Sequence, residues 1–395
     1  MSMLLALLAA AASPAATPPK DDSPEEIAKD AARDLKEGSF YNKPGATRAQ
    51  YDADWQECRL IARGSRTPGG TIPVYYNPAV ISPAAAAIGG GIGGLIGAAI
   101  AEGVQRRANR RSCLLVKGWR SVEVNEADKA KVAAMSDAER DAHFAEVVGA
   151  ADVKGWTEAF TNDLAAPKLA DGRNPGAKIT AAMSVTAGKK VDLAKLQLEP
   201  GQGAILVGFR RPDEHSLGKS ASVSFSRYKA ADGDLEYQPR DWKKKGDKTT
   251  YGVQARSIDK KAGLELHVIP VTAGRYAMTS AQAGPYNPSQ LTTFCLGAPS
   301  FEVAEGEVVY FGELTPYMSV PGAEGKKLLA IPYSHDADGA RALLAAKQPG
   351  LAGAFKPAAV ENDATWGCIG QTMTAYRVPG APAMAAVAGG ASTSR

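Results

Sequence analysis

Histidine, carboxylate, cysteine and glycine are the residues of this chain whose types and spacing bear on chemistry. The four histidines, His143, His215, His267 and His335, are far apart in sequence, and no HExxH pair is present. His335 stands in YSHDADGAR beside Asp336 and Asp338. That trio has the donors for a metal ion or for a hydrolase centre. The same residues also read as the start of a helix, with Asp336 or Asp338 as its cap. Asp232-Gly-Asp234 is too short for a calcium loop. GGGIGG lacks the Lys-Ser/Thr of a phosphate loop, and no GxSxG nucleophile elbow occurs. The expectation is a non-enzymatic protein with no catalytic residues, no metal and no cofactor. A hydrolase built around His335 and Asp338 is the rival.

Cys58, Cys113, Cys295 and Cys368 contain no CxxC pair, so neither a zinc knuckle nor a dithiol redox motif is encoded. An even count in an exported chain reads as disulfides. Pairing within domains gives Cys58–Cys113 and Cys295–Cys368, against the alternative of four buried thiols. Export is read from the first residues. Met3 to Ala12 is a short apolar run, followed by small residues and then Pro and Lys. This is the pattern of a signal peptide, assigned to residues 1–16, with cleavage after Ala12 or Ala16. The compartment expected is the periplasm or outer membrane.

The segment 84–103, AAAAIGGGIGGLIGAAIAEG, carries no charge before Glu102. Gly89, Gly93, Gly97 and Ala101 fall four apart, which puts them on one face of a helix. A ridge without side chains lets another helix approach closely, as in repeated small-xxx-small packing. Helix-packing through this ridge, against like helices or in a membrane surface, is the function expected of it. Glycine costs about 1 kcal/mol per helix position relative to Ala, so a buried soluble helix and a loop are the alternatives. Arg106, Arg107, Arg110 and Arg111 follow directly. They read as contacts to acidic lipid headgroups, or else as a solvated helix face. If the zipper crossed the inner membrane once, these arginines would lie in the cytoplasm together with Cys113. Cys58–Cys113 could not then form, so a zipper that stays on one side is preferred.

These features need scaffolding. With 395 residues, 45% hydrophobic and 22% charged, the chain is long enough for two or three globular domains. A formal charge of +4 gives no case for nucleic-acid binding. Lys243 to Lys245 reads as a solvated loop. Ser23–Gly38 has helix caps. Tyr51, Trp55, Cys58 and Ala62 recur at helical spacing within Thr47–Arg63. Ser136 and Glu139 form a capping-box pattern, and Gly155 to Leu164 continues as helix. From Gly203 the rhythm becomes that of short strands: AILVGFRR, ASVSFSRY, TTYGVQAR, LELHVIPV, GRYAMTSA, TTFCLGAPSFEV and EVVYFGEL, with Glu305-Gly306 as a hairpin turn. DADGARALLAAKQPG adds a late helix that ends at Gln348-Pro349-Gly350. The fold class expected is α+β: a helical region over 17–165, a linker over 166–202, an antiparallel β-sandwich over 203–378 and a disordered tail over 379–395.

Two resemblances accompany this reading. Trp55-x-x-Cys58, Gly89 to Gly97 and Cys113 followed by Lys117-Gly118-Trp119 resemble the glycine-zipper proteins of Gram-negative envelopes, over roughly Tyr51 to Val124. That likeness implies membrane- or self-association. Ala273-Gly274-Arg275-Tyr276 and Gly306-Glu307-Val308-Val309-Tyr310-Phe311-Gly312 resemble small β-sandwich domains of unknown function in bacterial envelope lipoproteins, over about Gly203 to Gly370. That likeness implies a fold and no reaction. The partners expected are a membrane surface, like helices or a second copy of the chain. A secreted ligand-binding protein of the periplasm, its ligand unknown, is the further alternative.

Overall fold

The structure is a computed structural model. It describes residues 24–36, 39–64, 107–162, 164–168, 170, 182–187, 192–211, 221–257, 262–284, 292–293, 295–322, 325, 327–366 and 377–382. The chain divides into two compact units, Met1–Tyr51 with Arg120–Glu158, and Asp52–Trp119 with Ala159–Arg395. The division differs from the reading of one continuous helical region followed by a sandwich, because the first unit is assembled from two separated stretches.

In the first unit, α1 (Pro24–Lys36) precedes β1 (Ser39–Asn42), and α2 (Arg48–Gly64) begins here. After β2 (Arg120–Glu123) come α4 (Glu126–Ala134), α5 (Asp137–Val147) and β3 (Trp156–Glu158), α3 being the helix at 107–116. The strands form an antiparallel sheet in the order β1-β2-β3. This sheet corrects two expectations, since 17–165 is not wholly helical and Trp156–Glu158 is strand. The three strands have only three or four residues each, too few to show an alternating pattern against their helical surroundings. The capping box at α5 forms as expected: the Ser136 side chain accepts from Glu139 N, and the Glu139 carboxylate accepts from Ser136 N. Asn42 is buried and holds the unit together, donating to Val147 O at 2.6 Å and accepting from Arg120 Nε at 2.6 Å.

The second unit contains two facing sheets. In chain order its strands are β4 (Ala182–Thr186), β5 (Gln202–Arg210), β6 (Ser222–Lys229), β7 (Asp234–Leu235), β8 (Gly252–Arg256), β9 (Ala262–Thr272), β10 (Gly274–Gln282), β11 (Thr292–Thr293), β12 (Ala298–Val303), β13 (Val308–Leu314), β14 (Tyr317–Pro321), β15 (Lys327–Ala330), β16 (Tyr333–Ser334), β17 (Phe355–Pro357) and β18 (Glu361–Ala364). A short α6 (Trp242–Lys245) lies before β8, and α7 (Ala337–Lys347) and α8 (Pro349–Ala352) before β17. One sheet runs β18-β12-β10-β6-β7, with β11 on β10 and β8 on β6; the other runs β16-β13-β5-β9-β4, with β17 on β13. Phe225 of β6, Phe301 of β12 and Phe311 of β13 meet between the sheets, with ring centroids 5.1 to 5.6 Å apart. The other face of the second sheet packs under the late helices, where Leu206, Leu266, Val308 and Tyr310 meet Leu343 and Leu344 of α7. This is the α+β fold with a late helix that the sequence predicts.

Four details differ. Glu305-Gly306 is a turn, with Gly306 at φ +76°, but it is not a hairpin: β12 and β13 belong to different sheets. β13 arrives by crossing between layers and therefore lies parallel to β5, so this sheet is mixed. Full burial of β13 follows, with one face on the opposing sheet and one under α7. The stretch read as a linker supplies β4, which pairs parallel with β9. The expected tail begins as ordered chain, because Asn362 donates to Val378 O at 3.0 Å and its backbone N–H to Pro382 O at 2.8 Å; residues 383–395 lie outside the described residues.

Gly312 shows how tightly β13 is held. Its φ is +132°, and a Cβ there would lie 2.4 Å from Tyr333 Cε2. The Tyr333 hydroxyl donates to Phe311 O across this spot at 2.6 Å. Gly312→Ala is expected to cost about 2 kcal/mol or more, from left-handed strain and overpacking together. Gly306→Asn, in open space and at a φ that Asn tolerates, is expected to be nearly neutral. Denaturant unfolding of the two variants measures the contrast.

Candidate functional site

The ends of the segment read as a glycine zipper are described, although 84–103 itself lies outside the described residues. Tyr51, Trp55, Cys58 and Ala62 of α2 are all buried, which is the face their spacing predicts. Cys58 is bonded to Cys113 of α3, with Cα atoms 5.5 Å apart and a sequence separation of 55. Around this bond the two helices are joined by charge. Lys117 donates to Asp54 at 2.9 Å and to Glu57 at 2.8 Å, and Trp119 Nε1 donates to the other Asp54 oxygen at 2.9 Å. Burial pushes the Lys117 ammonium down, but its bonds to Glu57 and Asp54 outweigh that and leave its pKa raised. The outcome is a covalent and ionic clamp on the two ends of 65–106.

Gly89, Gly93, Gly97, Ala101 and Arg106 lie outside the described residues. Of the arginines that follow, Arg110 is placed differently from either reading of the sequence. Arg110 is buried, its guanidinium 5.1 Å from the Trp55 ring centroid, and Arg107 and Arg111 are half-buried. A guanidinium over an indole face gains cation–π attraction where a headgroup contact would need solvent exposure. Sequence spacing alone did not show this, because the aromatic partner is on a different helix. Cys295 is also disulfide-bonded; Cys368, its expected partner, lies outside the described residues.

The histidine–aspartate trio lies at the edge of the mixed sheet. His335 is exposed and its ring lies 4.9 Å from that of Tyr310. Asp336 caps α7, accepting from Gly339 N at 2.9 Å. Beneath them is Glu313, fully buried, which the sequence reading did not single out. Arg210 Nε donates to its Oε2 at 2.6 Å, Ser334 Oγ to the same oxygen at 3.3 Å, and the Tyr310 hydroxyl to Oε1 at 3.0 Å. Burial raises the Glu313 pKa above the ordinary carboxylate range, against the opposing pull of Arg210 and Tyr310. Burial likewise raises the Tyr310 and Tyr333 hydroxyls. With both oxygens already accepting, Glu313 serves to tie β5, β13 and β16 together, and Asp336 is occupied as a helix cap. The one signal for Glu313 in the sequence is an acid inside an otherwise apolar strand, VVYFGEL.

A second buried network holds β9. Glu265 accepts from Ser257 Oγ at 2.8 Å and from Arg211 Nη2 at 3.2 Å, with His267 Nε2 3.2 Å from its other oxygen. The serine gives its proton to the carboxylate and not to the imidazole, the opposite order from a nucleophile triad. Lys229 pairs with Asp232 in the Asp232-Gly-Asp234 turn, and Lys243 to Lys245 form the exposed α6. His215 lies outside the described residues. Among the described residues no three His, Cys, Asp or Glu side chains gather as a metal site, and no helix is long and apolar enough to cross a membrane.

No known protein family matches the chain, nor does any curated protein or solved structure. What the fold and the site define is therefore a class: an α+β protein with a disulfide-stapled helical pair and a two-sheet unit covered by a late helix.

Proposed function

We propose that this is a non-enzymatic cell-envelope protein, exported to the periplasm or outer membrane, whose glycine zipper associates with a membrane surface or with like helices. Its two-sheet unit works as a binding or structural module. The observation that carries the reading is the Cys58–Cys113 bond. Disulfides persist outside the cytosol and are reduced within it. The bond also constrains the zipper. A bilayer core is about 30 Å thick, whereas the two cysteine Cα atoms are 5.5 Å apart. A segment leaving one cysteine and returning to the other ends on the side where it began. Two helical crossings need about 40 apolar residues plus a turn, and 65–106 offers a single apolar stretch, 84–101, after four prolines. Association along one surface, or between zippers of several copies, fits these limits.

Gly93→Leu combined with Gly97→Leu is the test. Filling the ridge is expected to move the protein from the membrane pellet to the soluble extract, or to turn oligomers into monomers, with the Cys58–Cys113 bond intact. Unchanged partitioning and unchanged oligomeric state would refute the zipper. Full solubility of the unaltered protein as a monomer would favour a secreted ligand-binding protein instead.

A further inference from the structure

Helix α4 has an Asn125 cap, yet none of its residues, Val132 included, is fully buried. The reason lies beneath it. Val132 of α4 and Met135 beyond it line a pocket of ≈ 380 Å³ together with Phe40 of β1, Phe144 and Val147 of α5, and Val153. A helix normally buries such residues on its neighbours; here they border open space. The pocket is within the size range of small-ligand sites. It holds about a dozen groups the size of a water or a methylene, at ~30 Å³ each.

Its lining also carries charge. Lys131, Arg140 and Lys154 outnumber Asp128 and Asp152 among the lining residues. Arg140 is already engaged, donating to the Val132 and Met135 carbonyls and pairing with Asp137. The bond of Asp128 to Lys131, at 3.1 Å, then the one it accepts from Asn125 and the charge of Lys154, hold its carboxyl below the usual range. With Arg140 matched by Asp137, Lys131 and Lys154 equal Asp128 and Asp152 in number, and Lys154 is the cation among the lining residues without an ion pair to a described residue. His143 and Lys154 have no side-chain hydrogen bond or ion pair among the described residues. Apolar walls with a few converging polar groups are the make-up of a ligand site.

We infer that this pocket binds a free single-chain anionic amphiphile, with an alkyl tail of about eight to ten carbons at this volume, its tail against Phe40, Val132 and Phe144 and its anionic head at Lys154 and His143. The inference concerns the first unit alone and does not depend on the zipper.

Titration calorimetry of the full-length protein with sodium decanoate, 1-decanol and decyltrimethylammonium, each below its micelle concentration, tests it. Decanoate is expected to bind saturably at one site per chain. Val132→Trp, and independently Met135→Trp, fill the space and are expected to weaken it about tenfold or more. Lys154→Glu is expected to weaken decanoate about fivefold while leaving decanol within twofold, the scale of one exposed charge pair. No saturable decanoate binding, equal or tighter binding of the cationic amphiphile, or decanoate binding unchanged in both tryptophan variants would overturn the inference.

Discussion

Replacing Cys58 and Cys113 together by serine is expected to destabilise the α2–α3 pair by about 4 kcal/mol, the chain-entropy value for a closed loop of this size. The bond closes a separation of 55 residues, so the unfolded chain gains much freedom when it is cut. The Lys117 bonds to Asp54 and Glu57 remain, and they are short. They are intermediate in exposure and replace only a part of what the covalent link supplies. Denaturant unfolding with and without reductant measures the effect: reductant is expected to shift the wild-type protein by more than the double serine variant, in which the Cys295 disulfide is still there to be cut. A wild-type curve indifferent to reductant would mean that the loop is closed by other contacts.

Arg210→Met is expected to be nearly as damaging, at about 3 kcal/mol or more near neutral pH. Removing one partner of a buried pair strands the other charge, and Glu313 is fully buried while the Arg210 side chain is largely so. The pH dependence has a defined sign. The folded-state pKa of Glu313 is raised, so between the ordinary carboxylate pKa and the raised one the native protein holds more protons than the unfolded chain. The contribution of Glu313 to stability therefore falls as pH rises through that window. Without Arg210 the fall steepens, and the deficit of Arg210→Met shrinks toward acid pH, where Glu313 is neutral. Glu313→Gln removes the slope, and the double variant Arg210→Met/Glu313→Gln is expected to be less destabilised than Arg210→Met alone. Unfolding curves from pH 5 to 8 for the four proteins give the coupling directly.

How much of this was legible in the sequence depends on whether the signal was local. The face formed by Tyr51, Trp55, Cys58 and Ala62 repeats every three or four residues, and all four are buried. The Ser136–Glu139 box lies within one turn, and it forms. The long strands of the second unit were readable because β-branched and aromatic residues cluster between turn residues, and Gln348-Pro349 did mark the end of α7. What escaped was set by distant partners. Glu305-Gly306 encodes a tight reversal but not which sheet receives the next strand. β4, Ala-Met-Ser-Val-Thr, is too short to show a strand pattern among its neighbours and pairs along the edge of β9. Arg110 reads as a surface charge until Trp55 is brought beneath it. Glu313 reads as an ordinary acid until Arg210, Tyr310 and Ser334 converge on it from three strands. The pocket under α4 lacks a sequence signal for the same reason, since its walls come from β1, α4 and α5.

The envelope assignment depends on the oxidation state of the cysteines in the cell. Thiol alkylation of intact cells, followed by fractionation and non-reducing peptide mapping, tests it most directly. The account predicts an envelope fraction in which Cys58 and Cys113 are recovered as one linked peptide and no cysteine carries the alkylating label. Recovery from the cytosol with all four cysteines labelled would contradict it.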